Sequence, residues 1–248
     1  RVGADILCYM TGYNDPRVEK MFLPNDVGNY VGIRIGIDVA GKSTAMTKYS
    51  NLIVESTTPY LWFNAAEATF LRAEYELRWG SEETAQSLYE EAIRLSFEER
   101  GANGADAYIA DATSKPAAYT DPLGSYSAAA QSTITIAWTP GPENFEANLE
   151  RIITQKWIAI FPLGVEAWSE HRRTGYPRLL PVMADKSGGG VDVAQGARRL
   201  PYPVEEYQQN NTNLQAAIQT LNAEQTNGNR TGDQMGTRVW WDCKPYNN

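Results

Sequence analysis

Two apolar stripes between Pro59 and Gly101 limit the fold more than anything else in this chain. Phe63, Ala66, Phe70, Ala73 and Leu77 recur every three or four residues. That spacing puts side chains on one face of an α-helix and predicts a helix over about 60–78. Gly80 breaks it. Ser81 then offers the short hydroxyl that caps an N-terminus, and Glu82 and Glu83 fall in the first turn, where the helix dipole favours acids. A second stripe, Ala85, Leu88, Ala92 and Leu95, runs to Gly101, and so short a turn lays the two helices antiparallel. Gly80, Ala85, Tyr89 and Ala92 also stand where a tetratricopeptide repeat places its turn residue and the small-large-small positions of its second helix. The match is partial, because Glu76 occupies the place of the repeat's large tyrosine and Tyr75 lies one step away. One such pair cannot bury both its faces, so further helices are expected alongside.

A third helix is predicted from about Glu143, with Leu149, Ile152, Ile153, Lys156, Trp157 and Ile160 along one face and Pro162 and Gly164 closing it. Between the second and third helices, residues 101–142 form a long insertion of small residues whose large side chains are Tyr108, Tyr119, Tyr126 and Trp138. Loops of that length are usually functional or disordered. Residues 1–58 read as irregular, with short strand-like runs at Tyr30–Ile37. Residues 182–248 read as an irregular tail, in which DKSGGGVD and TNGNRTG are surface loops and LPYP at 200–203 is held extended by its prolines. The expected fold class is all-α, a tetratricopeptide-like scaffold with long irregular insertions.

Composition removes several function classes. The 248 residues, 42% of them hydrophobic, suffice for a sizeable core. A formal charge of -8 opposes nucleic acid and anionic lipid as partners, since both demand a basic patch. No run approaches the roughly twenty apolar residues of a membrane helix, and RVGADILCYM lacks a signal peptide's layout. Beginning without methionine, the chain reads as a fragment or a processed product. Cys8 and Cys243 are too few for a disulfide scaffold and fit no C-x-x-C metal spacing. Whether they pair is open. The acids of DKSGGGVD lack the spacing of an EF-hand, so neither a metal nor a cofactor is expected.

His171 is the one histidine, inside EAWSEHRRTGYPRLLP. A catalytic histidine needs a nucleophile and an orienting acid, and no GxSxG elbow or similar signature supplies one. Arg172 and Arg173 instead fall at a helix C-terminus, where cations complement the dipole and reach the last carbonyls, Gly175 suits the cap and Pro177 stops the helix. The cluster reads as a structural corner, and no catalytic residue is assigned. Trp240 and Trp241 in RVWWD would point to opposite faces of a strand, which leaves at most one for a ligand and suits sealing of the C-terminal segment onto the helices.

NLERIITQKWIAIFPLGVEAWSEHRRTGYPRLLPV, followed by RRLPYPVEEYQQN and then RVWWD, resembles the C-terminal half of the SusD/RagB family of glycan-binding outer-membrane lipoproteins. NDPRVEKMF and the helix pair 60–100 fit the same family in the same order, so the resemblance covers nearly the whole chain. It implies one SusD-like domain of which residues 1–248 are the C-terminal part: helical pair about 60–100, insertion 101–142, helix and corner 143–181, tail 182–248. The N-terminal half and its lipidated cysteine would be absent, and neither Cys8 nor Cys243 stands in for that cysteine. The resemblance further implies a surface-exposed outer-membrane lipoprotein that binds oligosaccharide without hydrolysing it and caps a TonB-dependent, SusC-like transporter. Membrane attachment would come only through the lipid on the absent half.

A sugar presents an apolar C–H face and a rim of hydroxyls, so its binding surface needs exposed rings beside hydrogen-bonding groups. Phe63, Phe70 and Trp157 lie on periodic helical faces and are expected in packing. The rings of the insertion are not periodic, and Tyr119, Tyr126 and Trp138 are the candidate ligand-binding residues. Two alternatives remain open: a carbohydrate-active hydrolase, which needs two carboxylates across a sugar-sized gap, and a tetratricopeptide-like adaptor gripping a peptide.

Overall fold

The computed structural model describes residues 1–223 and 232–242. Helices dominate. In chain order they are α1 (Ala4–Gly12), α2 (Val18–Met21), α3 (Lys42–Lys48), α4 (Ala65–Trp79), α5 (Glu82–Arg100), α6 (Ala105–Ile109), α7 (Phe145–Ala159), α8 (Gly164–Thr174), α9 (Val204–Gln209) and α10 (Asn211–Ala223). A short 3-10 turn, Pro142–Asn144, leads into α7. The sheet among the described residues is one antiparallel pair, β1 (Phe22–Leu23) on β2 (Asn51–Leu52), with Phe22 opposite Leu52.

The helical pair forms as its stripes predict. Ser81 accepts a hydrogen bond from the Thr84 amide and starts α5, and Gly101 ends it in the left-handed region at φ 62°. Ala85, Tyr89 and Ala92 are fully buried, so the small-large-small pattern lets α5 lie close along α4, with α7 against both. Ile152, Ile153 and Ile158 of α7 complete the core together with Leu7 and Met10 of α1. A buried arginine ties these layers. Arg17 donates to Asp15 at 2.6 Å, Ser96 at 2.8 Å and Gln155 at 3.0 Å, and its guanidinium lies 4.6 Å from the centre of the Phe97 ring. Multiple partners of this kind are what make a fully buried cation tolerable.

Several expectations need correction. α4 begins at Ala65, because the Asn64 side chain caps it by accepting the Glu67 amide at 2.8 Å, so Phe63 lies before the helix and 60% exposed instead of on its apolar face. Tyr30–Ile37 holds no strand; Val31 and Ile35 accept single backbone hydrogen bonds from Ser50 and Met183, and a single bridge joins Ile33 to Gly3. There Gly32 passes so close that an added Cβ would sit 2.2 Å from the Gly3 carbonyl oxygen. Residues 1–58 are not wholly irregular, since ADILCYMTG is helix α1, with Ala4, Ile6, Leu7, Tyr9 and Met10 all buried. The expected tail carries α9 and α10, and α10 turns Leu214, Ala217, Ile218 and Leu221 to one face, with Leu214 buried. The expected loop at 226–232 falls on residues outside the described ones save for Gly232, and so does Cys243, which leaves its pairing with Cys8 untested.

Candidate functional site

The insertion 101–142 is ordered by its large side chains, and that spends them. Tyr119 is 3% exposed. Its hydroxyl donates to the Gly32 carbonyl at 3.0 Å while its backbone exchanges two hydrogen bonds with Ala128. Trp138 is 9% exposed, with its ring 5.5 Å from that of Tyr89 and its Nε1–H donated to Glu82. The same Glu82 carboxylate accepts the Gly141 amide at 2.9 Å. Both rings therefore anchor the loop to the helices, and neither offers a face to a sugar, which corrects their assignment as ligand platforms. Tyr126 alone of the three keeps part of its surface, held by its carbonyl on Arg34 at 2.8 Å and its amide on Asp121 at 3.1 Å.

Exposed rings stand elsewhere, in the segment between β2 and α4. Asn64 fixes its end: besides capping α4, its side-chain amide donates to Glu99 at 2.7 Å and to the Ala159 carbonyl at 3.3 Å. Because Asn64 is turned inward, Tyr60, Trp62 and Phe63 stand outward, and Trp62 is 85% exposed. The Tyr60 and Trp62 rings lie 6.0 Å apart, edge to face at 78°. Just upstream, Glu55–Thr58 makes a turn in which the Thr58 hydroxyl accepts the Glu55 amide at 2.9 Å. Ser56 and Thr57 at its tip are exposed. Rings beside hydroxyls are the groups a neutral sugar binds, its C–H face on the ring and its hydroxyls on the rim. A readable signal for this segment existed in the chain: Asn64 followed three residues later by Glu67 marks a helix start, which places Tyr60, Trp62 and Phe63 outside α4. A second exposed pair, Tyr75 and Trp79, lies on the outer face of α4 with rings 5.4 Å apart.

The RRTGYP segment is a built corner. Gly175 ends α8 in the left-handed region at φ 77°, with its amide on the His171 carbonyl. The capping cation comes from elsewhere than expected: Arg198 donates to the Arg172 carbonyl at 2.8 Å, and Arg172 returns a bond of 2.8 Å to the Arg198 carbonyl. The Arg172 guanidinium lies 3.7 Å from the centre of the Trp168 ring and 4.8 Å from that of Trp241. Trp241 thus helps to seal the C-terminal segment, while Trp240 is exposed. Arg173 bridges Glu74 at 2.6 Å and Glu170 at 2.7 Å. His171 Nδ1 lies 3.1 Å from the Pro177 carbonyl oxygen, so this nitrogen carries the proton and donates it. Burial pushes the His171 pKa down to about 4, and the ring is neutral at physiological pH.

Nearby, Lys156 of α7 is buried among acids, with Nζ at 3.1 Å from Glu166, 3.7 Å from Glu170 and 3.8 Å from Glu67. Burial raises the Glu67 pKa above its ordinary value. Among the described residues there is no group of three or more His, Cys, Asp or Glu suited to a metal ion, and no helix is long and apolar enough to cross a membrane.

A family model described as SusD and RagB outer membrane lipoprotein matches residues 1–242. Among solved structures, a SusD homologue from Bacteroides thetaiotaomicron is 51% identical, with a TM-score of 0.91 over 99% of this chain and 52% of its own. A SusD homologue from Bacteroides uniformis is 45% identical, with a TM-score of 0.89 over 98% of this chain and 49% of its own. A chitin-binding SusD homologue from Flavobacterium johnsoniae is 42% identical, with a TM-score of 0.86 over 98% of this chain and 49% of its own. The chain therefore spans about half the length of these relatives. No curated protein matches it.

Proposed function

The chain belongs to the SusD-like family, and from that premise we propose that it is part of a non-catalytic oligosaccharide-binding component of an outer-membrane nutrient uptake system. In this reading the protein is a surface-exposed lipoprotein, held by a lipid anchor, that delivers bound glycan to a TonB-dependent transporter. The observation that carries it is the outward set of Tyr60, Trp62 and Phe63 on a segment fixed by Asn64, with the exposed Ser56 and Thr57 a few residues upstream in the same segment. Tyr126 is a further proposed contact. A neutral glycan suits this surface, and the chitin-binding relative at 42% identity binds a polymer of that kind. The buried acids the structure gathers, Glu67, Glu74 and Glu170, are engaged by Lys156 and Arg173, which supports binding over hydrolysis.

The test is a panel of soluble neutral and acidic oligosaccharides titrated into the protein by calorimetry, with the same mixtures followed by chromatography for cleavage. Saturable binding with intact glycan is the expected result. Release of shorter products would establish a hydrolase instead, and absence of any binding across the panel would overturn the glycan reading.

A further inference from the structure

Helix α4 is apolar on the side that the rest of the chain leaves open. Ala66, Phe70 and Ala73 turn into the core, and Glu67 and Glu74 reach Lys156 of α7 and Arg173 of α8. The remaining face carries Ala68, Leu71, Tyr75 and Trp79 at steps of three and four residues, the kind of seam along which one helix takes another. Leu71, Tyr75 and Trp79 are exposed, Trp79 to 73%. The other helix of the pair shows a face made for water. Every exposed residue of α5 is polar, Glu83, Ser87, Glu91, Arg94 and Glu98 among them. Beside such a neighbour, an apolar stripe in solvent marks a contact face.

The order of stacking identifies what belongs there. Two-helix repeats stack in chain order, each touching only its neighbours. Helix α7 lies against both α4 and α5 and fills the side of the following pair, so the open side of α4 is the place of a preceding pair. Residues 1–64 do not supply it. Their helices are nine, four and seven residues long, and the longest, α1, is spent on α7, where the Tyr9 ring meets that of Trp157 at 5.5 Å. The SusD homologues that match nearly all of this chain each hold about as much chain again, enough for such a pair.

We propose that the outer face of α4 docks an amphipathic helix from that other half of a full-length SusD-like protein, with the apolar stripe of the incoming helix laid along Leu71, Tyr75 and Trp79. The inference rests on the family membership and not on the glycan reading.

The experiment compares the 248-residue chain with a hybrid in which the part of the Bacteroides thetaiotaomicron homologue that it does not match is joined ahead of Arg1. Hydroxyl-radical labelling, read by mass spectrometry, reports the exposure of each side chain. Leu71, Tyr75 and Trp79 label strongly in the chain alone, and in the hybrid all three are expected to lose most of their labelling together. Trp79→Glu is expected to restore labelling at Leu71 and Tyr75 in the hybrid and to lower its melting temperature by several degrees. The same substitution leaves the melting of the chain alone unchanged, because there the ring stands in water. Ser87→Lys, on the polar face of α5, alters neither protein. Undiminished labelling in the hybrid would overturn the proposal. So would labelling of the chain alone that rises on dilution, which marks a second copy on the stripe, or protection that needs an added oligosaccharide, which marks a sugar platform. Equal losses of melting temperature in the two proteins would place the contact within the 248 residues and would also overturn it.

Discussion

Trp62→Ala and Trp138→Ala are expected to have opposite consequences, although both remove an indole from outside the regular helices. Trp138 is buried against Tyr89, and its N–H bonds the Glu82 carboxylate that also accepts Gly141. Removing it opens a cavity and leaves the loop end less tethered, and large-to-small changes of this kind cost about 3–5 kcal/mol. Trp62, 85% exposed, has little burial to lose, so its removal should change stability by no more than about 0.5 kcal/mol. Its face is what a sugar stacks on, and stacking on an aromatic ring is worth roughly 1–3 kcal/mol, as measured for nucleic-acid bases. That corresponds to about a 5- to 150-fold loss of oligosaccharide affinity. Urea denaturation of both variants, with calorimetric titration of the best oligosaccharide from the panel, reads both axes. A Trp138→Ala protein of normal stability that no longer binds, beside a Trp62→Ala protein that binds normally, would refute the assignment and restore the insertion as the site.

Stability should depend on pH through His171. Its folded pKa of about 4 lies below the ordinary 6.5, so between those values the unfolded chain holds a proton that the native ring refuses, and stability rises with pH across that window. At 1.36 kcal/mol per pH unit the full effect is about 3 kcal/mol, complete above pH 6.5; urea midpoints of His171→Gln should lack this component, and curves parallel to the parent would disprove it. The glycine that opens α8 and the one that caps its end should part company on substitution. Gly175→Ala forces a Cβ into φ 77° and costs about 1–2 kcal/mol, while Gly164→Ala, with open space around its Cβ, should be near neutral in thermal melts. Lys156→Met leaves Glu67 and Glu170 buried beside a lost cation and should cost about 3–5 kcal/mol at pH 7. Because burial already raises the Glu67 pKa, its protonation should return part of that loss as pH falls, and a variant least stable in acid would contradict this.

What could be read from the chain follows the range of the forces involved. The α4 and α5 pair was legible because its determinants are local: a stripe at helical spacing, Ser81 at a cap and Gly101 at a stop all act within a turn of themselves. Helix α1 escaped because it is buried on nearly every side, and a helix without a polar face shows no period to detect. Helix α10 was legible in principle, since Leu214, Ala217, Ile218 and Leu221 recur at helical spacing. The rings posed a harder problem. Whether Trp138 faces a ligand or the core depends on Tyr89 and Glu82, which lie about fifty residues upstream and meet it only after α5 has packed. Nothing in its own neighbourhood encodes that meeting, and the small residues that looked like room for a ligand are instead room for the loop to close on the helices. For Trp62 the deciding residue is two positions away. Asn64 caps α4 by turning its side chain inward, and once that register is fixed Phe63 cannot join the apolar face and Trp62 stands clear. A ring set beside a cap is thus assignable from the chain alone, whereas a ring set in a long insertion needs the fold before its face can be placed.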